Sequence, residues 1–97
     1  MPDLVNIVLM RAQAGKTALL GKALGELLTQ TRKEPGCALS ELNQSRTDPN
    51  TWMVYERWRG EDALAHHMKQ PYVAAFLARM TYLVSQPPEV QPYDHCG

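Results

Sequence analysis

Near its N-terminus the chain has a segment, Leu4–Met10, that is apolar at odd and even positions alike, apart from Asn6. Successive side chains of a β-strand point to opposite faces of a sheet, so this pattern predicts a strand that is buried on both faces. The segment Trp52–Trp58 carries bulky side chains at both parities and predicts a second strand of this kind. Any fold built from these two strands has to cover both faces of its sheet.

Between these strands lie a helical pattern and a further strand. Apolar residues recur three and four positions apart within Lys16–Lys33, which is typical of an amphipathic helix, and Glu34-Pro35-Gly36 predicts its end. The loosely alternating segment Cys37–Arg46 predicts a strand with one wetter face. The turn-forming residues Thr47–Asn50 then lead into Trp52–Trp58, so the two strands are expected to form a hairpin.

The C-terminal part predicts one more helical region and an edge strand. Apolar residues at every fourth position predict helix, and Pro71 predicts a break near Gln70 followed by a second helical segment; the positions are Leu64, Met68, Tyr72, Phe76 and Met80. The proline-rich tail Gln86–Tyr93 suits only an edge strand. The order is βαββαβ, so we predict a ferredoxin-like α+β fold, with an antiparallel four-stranded sheet, helices on one face and a single domain over residues 1–97.

This fold leaves one face of the sheet without a cover from its own chain. Two helical regions can shelter one face of four strands, whereas the first and third strands are apolar on both faces. A second copy packed sheet against sheet is the simplest cover. The sequence therefore predicts a homodimer.

Charge and cysteine content narrow the classes of partner. The chain has 10 Lys plus Arg and 10 Asp plus Glu, which gives no basic surface for nucleic acid or an anionic membrane. Its longest apolar run is too short to span a membrane, and no secretory signal is recognised, so the cytoplasm is the expected location. The two cysteines, Cys37 and Cys96, lack metal-ligand spacing, and we expect reduced thiols and no metal site.

Four segments in order resemble the antibiotic biosynthesis monooxygenase (ABM) family: Ala14-Gly15-Lys16, Glu34-Pro35-Gly36-Cys37, Tyr55-Glu56-Arg57-Trp58 and His67-Met68-Lys69-Gln70-Pro71-Tyr72, which leads to Phe76. The resemblance, closest to the quinol-monooxygenase-like branch, implies a dimeric α/β barrel with a pocket between sheet and helices. It also implies an oxygenase that uses no cofactor, neither metal nor flavin. Its substrates would be O₂ and a small aromatic molecule such as a quinol, phenol or polycyclic ketone.

One histidine is the candidate catalytic base. Each helical residue advances about 100°, so with Leu64 at the centre of the buried stripe His67 borders the stripe and His66 points to solvent. His67 also matches the histidine of the family's helix motif, and an imidazole titrates near neutrality. A structural role in the pocket wall is the alternative. The family's second histidine is replaced by Tyr72, which puts a two-histidine mechanism in doubt.

The candidate substrate-binding residues are Asn6, Glu56, Trp58 and Tyr72. Glu56 lies on a central strand, where a carboxylate must be paired or functional, and an ion pair with Arg11 or Arg79 is the favoured interpretation. Asn6 and Tyr72 could hydrogen-bond a substrate oxygen, or only neighbouring protein groups. Trp58 could stack on a planar ligand, or serve only in the core.

Other functions stay open at this stage. The fold also suits a dimeric small-molecule-binding or stress protein without turnover, and an isomerase. Haem-degrading relatives have an iron-ligating histidine about three turns after the His67 position, where this chain has Leu77. Gly15-Lys16-Thr17 resembles the end of a phosphate-binding loop, but the required earlier glycine would fall on Met10, so that interpretation fails.

Overall fold

The structure is a computed structural model, and it describes residues 2–97. Its elements follow the predicted order, with the second helical region divided in two. They are β1 (Leu4–Arg11), α1 (Thr17–Thr31), β2 (Cys37–Gln44), β3 (Thr51–Trp58), α2 (Glu61–Met68), α3 (Pro71–Met80) and β4 (Glu89–Asp94). The strand β2 ends two residues before the predicted Arg46, because the chain already bends there into the turn that precedes β3.

The four strands form one antiparallel sheet in the order β2-β3-β1-β4. This is the ferredoxin-like arrangement that the sequence predicts. The two strands that are apolar on both faces, β1 and β3, occupy the centre, and Val8 pairs with Val54 at the middle of their ladder. The proline-containing strand β4 is at an edge, where Pro92 breaks no central ladder.

The predicted helix break lies at Gln70. This residue has extended backbone angles, φ −69° and ψ 136°, and Pro71 is the first residue of α3, where its missing N–H leaves no intrahelical bond unmade. The acidic Glu61 and Asp62 stand in the first turn of α2, where they favour the positive end of the helix dipole. The break sets α2 and α3 at separate positions over the sheet. Within residues 2–97, none of the helices has the length and apolar character that a membrane crossing requires.

The core lies between the helices and one face of the sheet. Leu20, Leu24 and Leu28, one face of α1, are essentially inaccessible to solvent. They pack with Val54 of β3 and Phe76 of α3 in a single apolar cluster. The helical pattern in the sequence therefore identifies the buried face of α1 correctly.

Within residues 2–97, no helix covers the opposite face of the sheet. Alternation along β1 and β3 directs Ile7, Leu9, Met53 and Tyr55 to this side, and each of them is only half-buried. Exposed apolar side chains in one contiguous patch are typical of an interaction surface. The predicted second copy would cover this patch, and the homodimer stays a prediction.

Candidate active site

A cavity of about 290 Å³ lies between the sheet and the helices. Its walls are mainly apolar, formed by side chains such as Leu24 and Phe76, and three polar residues interrupt them: Asn6, Glu56 and His67. An apolar concave space with a few convergent polar groups is the usual form of a small-molecule site. The sheet supplies two of the polar groups and α2 supplies the third.

A carboxylate contacts one of the two ring nitrogens of His67, the Nδ1 atom. Its side chain is 6% exposed, and its Nδ1 atom lies 2.6 Å from Oε2 of Glu34. The imidazole also packs on the indole of Trp58, with ring centroids 4.5 Å apart and the planes tilted by 38°. Within residues 2–97 the other nitrogen, Nε2, has no hydrogen-bond partner. The adjacent His66 is exposed and bonds Gln70, as the helical geometry predicts.

The carboxylate of Glu34 accepts from a second group. The Tyr72 hydroxyl donates to the same oxygen, Oε2, and lies 3.3 Å from both His67 Nδ1 and Thr31 Oγ1. Burial of the phenol, and then its hydrogen bond to Glu34, raise the pKa of Tyr72 above its ordinary value. Tyr72 therefore stays a neutral donor and is unsuited to act as a base.

A close approach of two backbones brings Glu34 to His67. Glu34 lies in the turn after α1, and the next residue but one, Gly36, faces Ala63 of α2. A Cβ atom on Gly36 would stand 2.5 Å from Cβ of Ala63, so only glycine leaves room for the helix. The turn is tied further by the bond from Arg59 N to Gly36 O, 2.9 Å.

Strand register sets the pair formed by Asn6 and Glu56. The two residues are directly opposite in the β1–β3 ladder, and Asn6 Nδ2 donates to Glu56 Oε1 at 3.1 Å. Both residues are 7% exposed. Within residues 2–97, Glu56 Oε2 has no hydrogen-bond partner, and it belongs to a residue that lines the cavity.

The predicted partners of Glu56 are wrong. Arg11 lies 3.9 Å from Asp48, and Arg79 lies 3.3 Å from Glu26, both pairs at the surface. Neither arginine reaches the helix-covered face where the Glu56 carboxylate is buried. An amide from the neighbouring strand satisfies one oxygen instead, since alternation along paired strands places Asn6 and Glu56 on the same face.

The other two candidate substrate-binding residues lie outside the cavity lining. Trp58 is fully buried behind His67, and Tyr72 borders a shallow groove between α1 and α3 while its hydroxyl is taken by Glu34. The direct substrate contacts expected for these two residues do not fit this placement. Both residues support the imidazole of His67 instead.

Cys37 is a thiol near the site but is poorly suited to nucleophilic chemistry. Burial, and then the negative charge of Glu56, raise the pKa of the Cys37 thiol, which disfavours the thiolate. Among the residues the structure describes, 2–97, no cluster of three or more His, Cys, Asp or Glu side chains is arranged to hold a metal.

Glu34 is the residue of this site that the sequence patterns do not single out. The sequence predicts Glu34 only as part of the turn that ends α1, because Glu34-Pro35-Gly36 is a strong stop signal for a helix. A signal is nevertheless present, because the same three residues belong to a segment that resembles the ABM family. Glu34 in one such segment and His67 in another form a carboxylate–imidazole pair, and a carboxylate commonly orients a histidine in this way.

Comparison with known proteins agrees with the fold. A family model described as "Antibiotic biosynthesis monooxygenase" matches residues 3–79. Among curated proteins, the uncharacterized protein sll1783 of Synechocystis sp. is 32% identical over 63 residues, which cover 65% of this chain and 43% of that protein. The chain thus spans less than half the length of this curated relative.

Solved structures share nearly the whole architecture. Protein SO0527 from Shewanella oneidensis is 28% identical with a TM-score of 0.92, covering 97% of this chain and 91% of that one. PA3566 from Pseudomonas aeruginosa is 24% identical with a TM-score of 0.93, covering 100% and 97%, and this likeness concerns the fold alone. A Caulobacter crescentus CB15 protein, provisionally named an antibiotic biosynthesis monooxygenase, is 26% identical with a TM-score of 0.92, covering 99% and 92%.

The family match extends from β1 to the last turn of α3 and so contains every polar residue of the cavity, together with Glu34 and Tyr72. The chain belongs to the antibiotic biosynthesis monooxygenase family.

Proposed function

We propose that this protein is a cofactor-independent monooxygenase that oxidises a small aromatic molecule, a quinol, phenol or polycyclic ketone, with O₂. The observation that carries the proposal is a buried histidine at an apolar cavity, with a carboxylate bonded to its Nδ1. At about 290 Å³ the cavity lies near the lower end of ligand-pocket volumes, roughly 300–1,000 Å³, which favours the smaller substrates.

The first step is removal of a hydroxyl proton by His67. When Nδ1–H donates to Glu34, the lone pair on Nε2 is free to take a proton from a phenol or enol in the cavity. Glu34 then faces an imidazolium and stabilises its charge. The apolar walls exclude water from the aromatic anion that remains, so that O₂ rather than water is next to the anion.

The oxidation balances without an added reductant. The aromatic anion gives one electron to O₂, and the resulting radical pair forms a C–O bond that becomes a ring hydroperoxide on protonation. Loss of the ring C–H proton and cleavage of the O–O bond release water and leave a carbonyl. A phenol plus O₂ thus gives a quinone plus water, with all four electrons for O₂ drawn from the substrate.

The pair formed by Asn6 and Glu56 favours uncharged substrates that carry a hydroxyl donor. Glu56 Oε2 can accept a hydrogen bond from the ligand, since Asn6 occupies only Oε1. Within residues 2–97, no lysine or arginine lines the cavity, so an aromatic carboxylate would meet Glu56 without a permanently charged cation to offset the repulsion. We expect neutral phenols to bind and their carboxylated analogues to be rejected.

The proposed working unit is a cytoplasmic homodimer. Its support is the half-buried apolar patch of the uncovered sheet face, with Ile7, Leu9, Met53 and Tyr55 at its centre. Sedimentation at micromolar concentration tests it. A stable monomer would remove the dimer from the proposal while the cavity, which lies on the other face, would be unaffected.

Oxygen uptake with a panel of quinols, phenols and anthrone-type ketones tests the activity. We expect consumption that depends on the protein and is lost in His67→Ala, whereas His66→Ala, the exposed neighbour, retains the rate. Binding of these ligands with no consumption in any case would instead assign the protein to the non-catalytic small-molecule binders. Haem degradation has little support, because Leu77, which stands near the position of the expected iron ligand, lines the cavity without a ligating atom.

A further inference from the structure

We propose that Glu34 is a positioning residue, which holds His67 in the tautomer with its proton on Nδ1 and so keeps Nε2 as the base. The catalytic consequence rests on the proposed function, whereas the tautomer is a property of the free protein. The sequence predicts only that Glu34 lies in a turn, and the contact between Glu34 and His67 is seen only in the tertiary structure.

The distances favour the carboxylate over the other neighbours of Nδ1. Glu34 Oε2 is 2.6 Å from Nδ1, within the range of a charge-assisted hydrogen bond, and the Tyr72 oxygen is farther, at 3.3 Å. The hydroxyl proton of Tyr72 is directed to Glu34, and Tyr72 is therefore a second donor to the carboxylate. An ionised carboxylate offers only acceptors, so the proton between it and His67 belongs to Nδ1.

Because the Glu34 carboxylate is buried, its stability depends on the few hydrogen bonds that it accepts. The Glu34 side chain is 10% exposed, and its Oε1 is buried with no hydrogen-bond partner among the residues described, 2–97. The ionised side chain therefore depends on Oε2, to which Tyr72 donates and which lies 2.6 Å from His67 Nδ1. The other tautomer, with its proton on Nε2, would place the Nδ1 lone pair against the carboxylate and leave Tyr72 as the donor to Oε2.

The nearby charged groups do not supply an alternative. Within residues 2–97, His67 is the one basic side chain within 4 Å of the Glu34 carboxylate. Cys37 is a neighbouring titratable group, and burial, followed by the negative charge of Glu56, raises the pKa of its thiol, which favours the neutral form. His67 therefore has no competing cation for the Glu34 carboxylate among residues 2–97.

Nitrogen-15 NMR of the full-length, histidine-labelled protein above pH 8 tests the proposal without a substrate. We expect the Nδ1–H form of His67 to dominate in the wild type, and its ratio to the Nε2–H form to fall roughly tenfold or more in Glu34→Gln, which removes the charge but keeps the shape. Glu26→Gln, at an exposed carboxylate, is the matched control and should leave the ratio unchanged.

A second variant separates the two neighbours of Nδ1. Tyr72→Phe keeps the carboxylate and should retain the Nδ1–H form. The proposal is overturned if Glu34→Gln leaves the ratio unchanged, or if Tyr72→Phe rather than Glu34→Gln abolishes the Nδ1–H form.

Activity then reports on the proposed function separately. If oxygen uptake is found, Glu34→Gln should lower kcat roughly a hundredfold or more with little change in KM, because a wrong tautomer removes the base without removing the binding site. If no substrate is turned over but the tautomer behaves as expected, the proposed function fails and the positioning role of Glu34 stands.

Discussion

A single methyl group at Gly36 should uncouple Glu34 from His67. Gly36 has no Cβ, and Ala63 of α2 packs directly against it. In Gly36→Ala the new Cβ would lie 2.5 Å from Cβ of Ala63 and 3.4 Å from its Cα. Apolar carbons prefer a separation of about 3.5–4.0 Å, so the turn and α2 must move apart by about 1 Å. Neither clashing atom belongs to a flexible side chain, and the backbone has to supply this displacement.

A displacement of this size is enough to break the hydrogen bond between Glu34 and His67. Adding about 1 Å to the 2.6 Å between Glu34 Oε2 and His67 Nδ1 gives a separation of about 3.6 Å, beyond hydrogen-bond range. A misplacement of about 1 Å around a reacting centre lowers the rate on the order of a hundredfold. Overpacking costs about 1–3 kcal/mol, and the stiffer unfolded chain returns up to about 1 kcal/mol. We therefore expect the free energy of unfolding to fall by about 0.5–2 kcal/mol.

Denaturant unfolding and His67 nitrogen-15 NMR measure the two effects in the same samples. The matched control is Gly25→Ala, on the face of α1 where a Cβ meets nothing within 4 Å, and it should stabilise the protein by about 0.5–1 kcal/mol. The rescue is Ala63→Gly, which removes the opposing methyl. By itself it costs about 1 kcal/mol as a glycine within a helix.

The double-mutant cycle decides whether this contact is responsible. In the Ala63→Gly background, Gly36→Ala should no longer destabilise the fold, and the Nδ1–H signal of His67 should return, with a coupling energy of about 1 kcal/mol or more. Equal destabilisation in both backgrounds, or an unchanged His67 signal in Gly36→Ala alone, would refute the reasoning.

Three further outcomes follow from the same contacts. Gly21→Ala would place a Cβ 2.6 Å from the ring of Trp52, and the overpacking cost of about 1–3 kcal/mol is offset in part by about 0.5–1 kcal/mol from replacing a helix glycine. The free energy of unfolding should fall by about 0.5–2 kcal/mol in denaturant unfolding, and Trp52→Phe should relieve the effect. Leu20→Ala, at a side chain with no exposed surface, should cost about 3 kcal/mol in urea unfolding. The hydrogen bond from Thr51 holds the pKa of Asp48 below its ordinary value. The stabilisation that this gives is complete above the unfolded pKa of about 4, and it is lost as the pH falls through the lower folded pKa. In Asp48→Asn, the free energy of unfolding should therefore fall less steeply as the pH is lowered through this range.

Local patterns were sufficient for the elements and their faces. Apolar residues at both parities of β1 and β3 predicted central strands, and Pro71 predicted the divided helix, because these signals depend on backbone geometry within a few residues. The same periodicity separated the buried His67 from the exposed His66 one residue away. Membership of the ABM family also followed from short matched segments in order, and the family match confirms it.

Sequence periodicity does not specify the contacts between distant residues. The Glu56 carboxylate was expected to pair with an arginine, but strand register set Asn6 opposite it, 50 residues away along the chain. Tyr72 was expected at the ligand, but its hydroxyl is bonded to Glu34. A pattern specifies which face a side chain takes, and many partners on that face are compatible with it.

The sequence by itself determined the βαββαβ order, the central place of the two apolar strands and the presence of a buried histidine on α2. Only the tertiary structure decided that this histidine meets Glu34, 33 residues earlier in the chain, and that Asn6 and Glu56 share its cavity. The physical reason is that periodicity encodes the direction of a side chain from its own backbone. The separation between two side chains depends in addition on how the elements dock, which here depends on the bare backbone of Gly36 against Ala63.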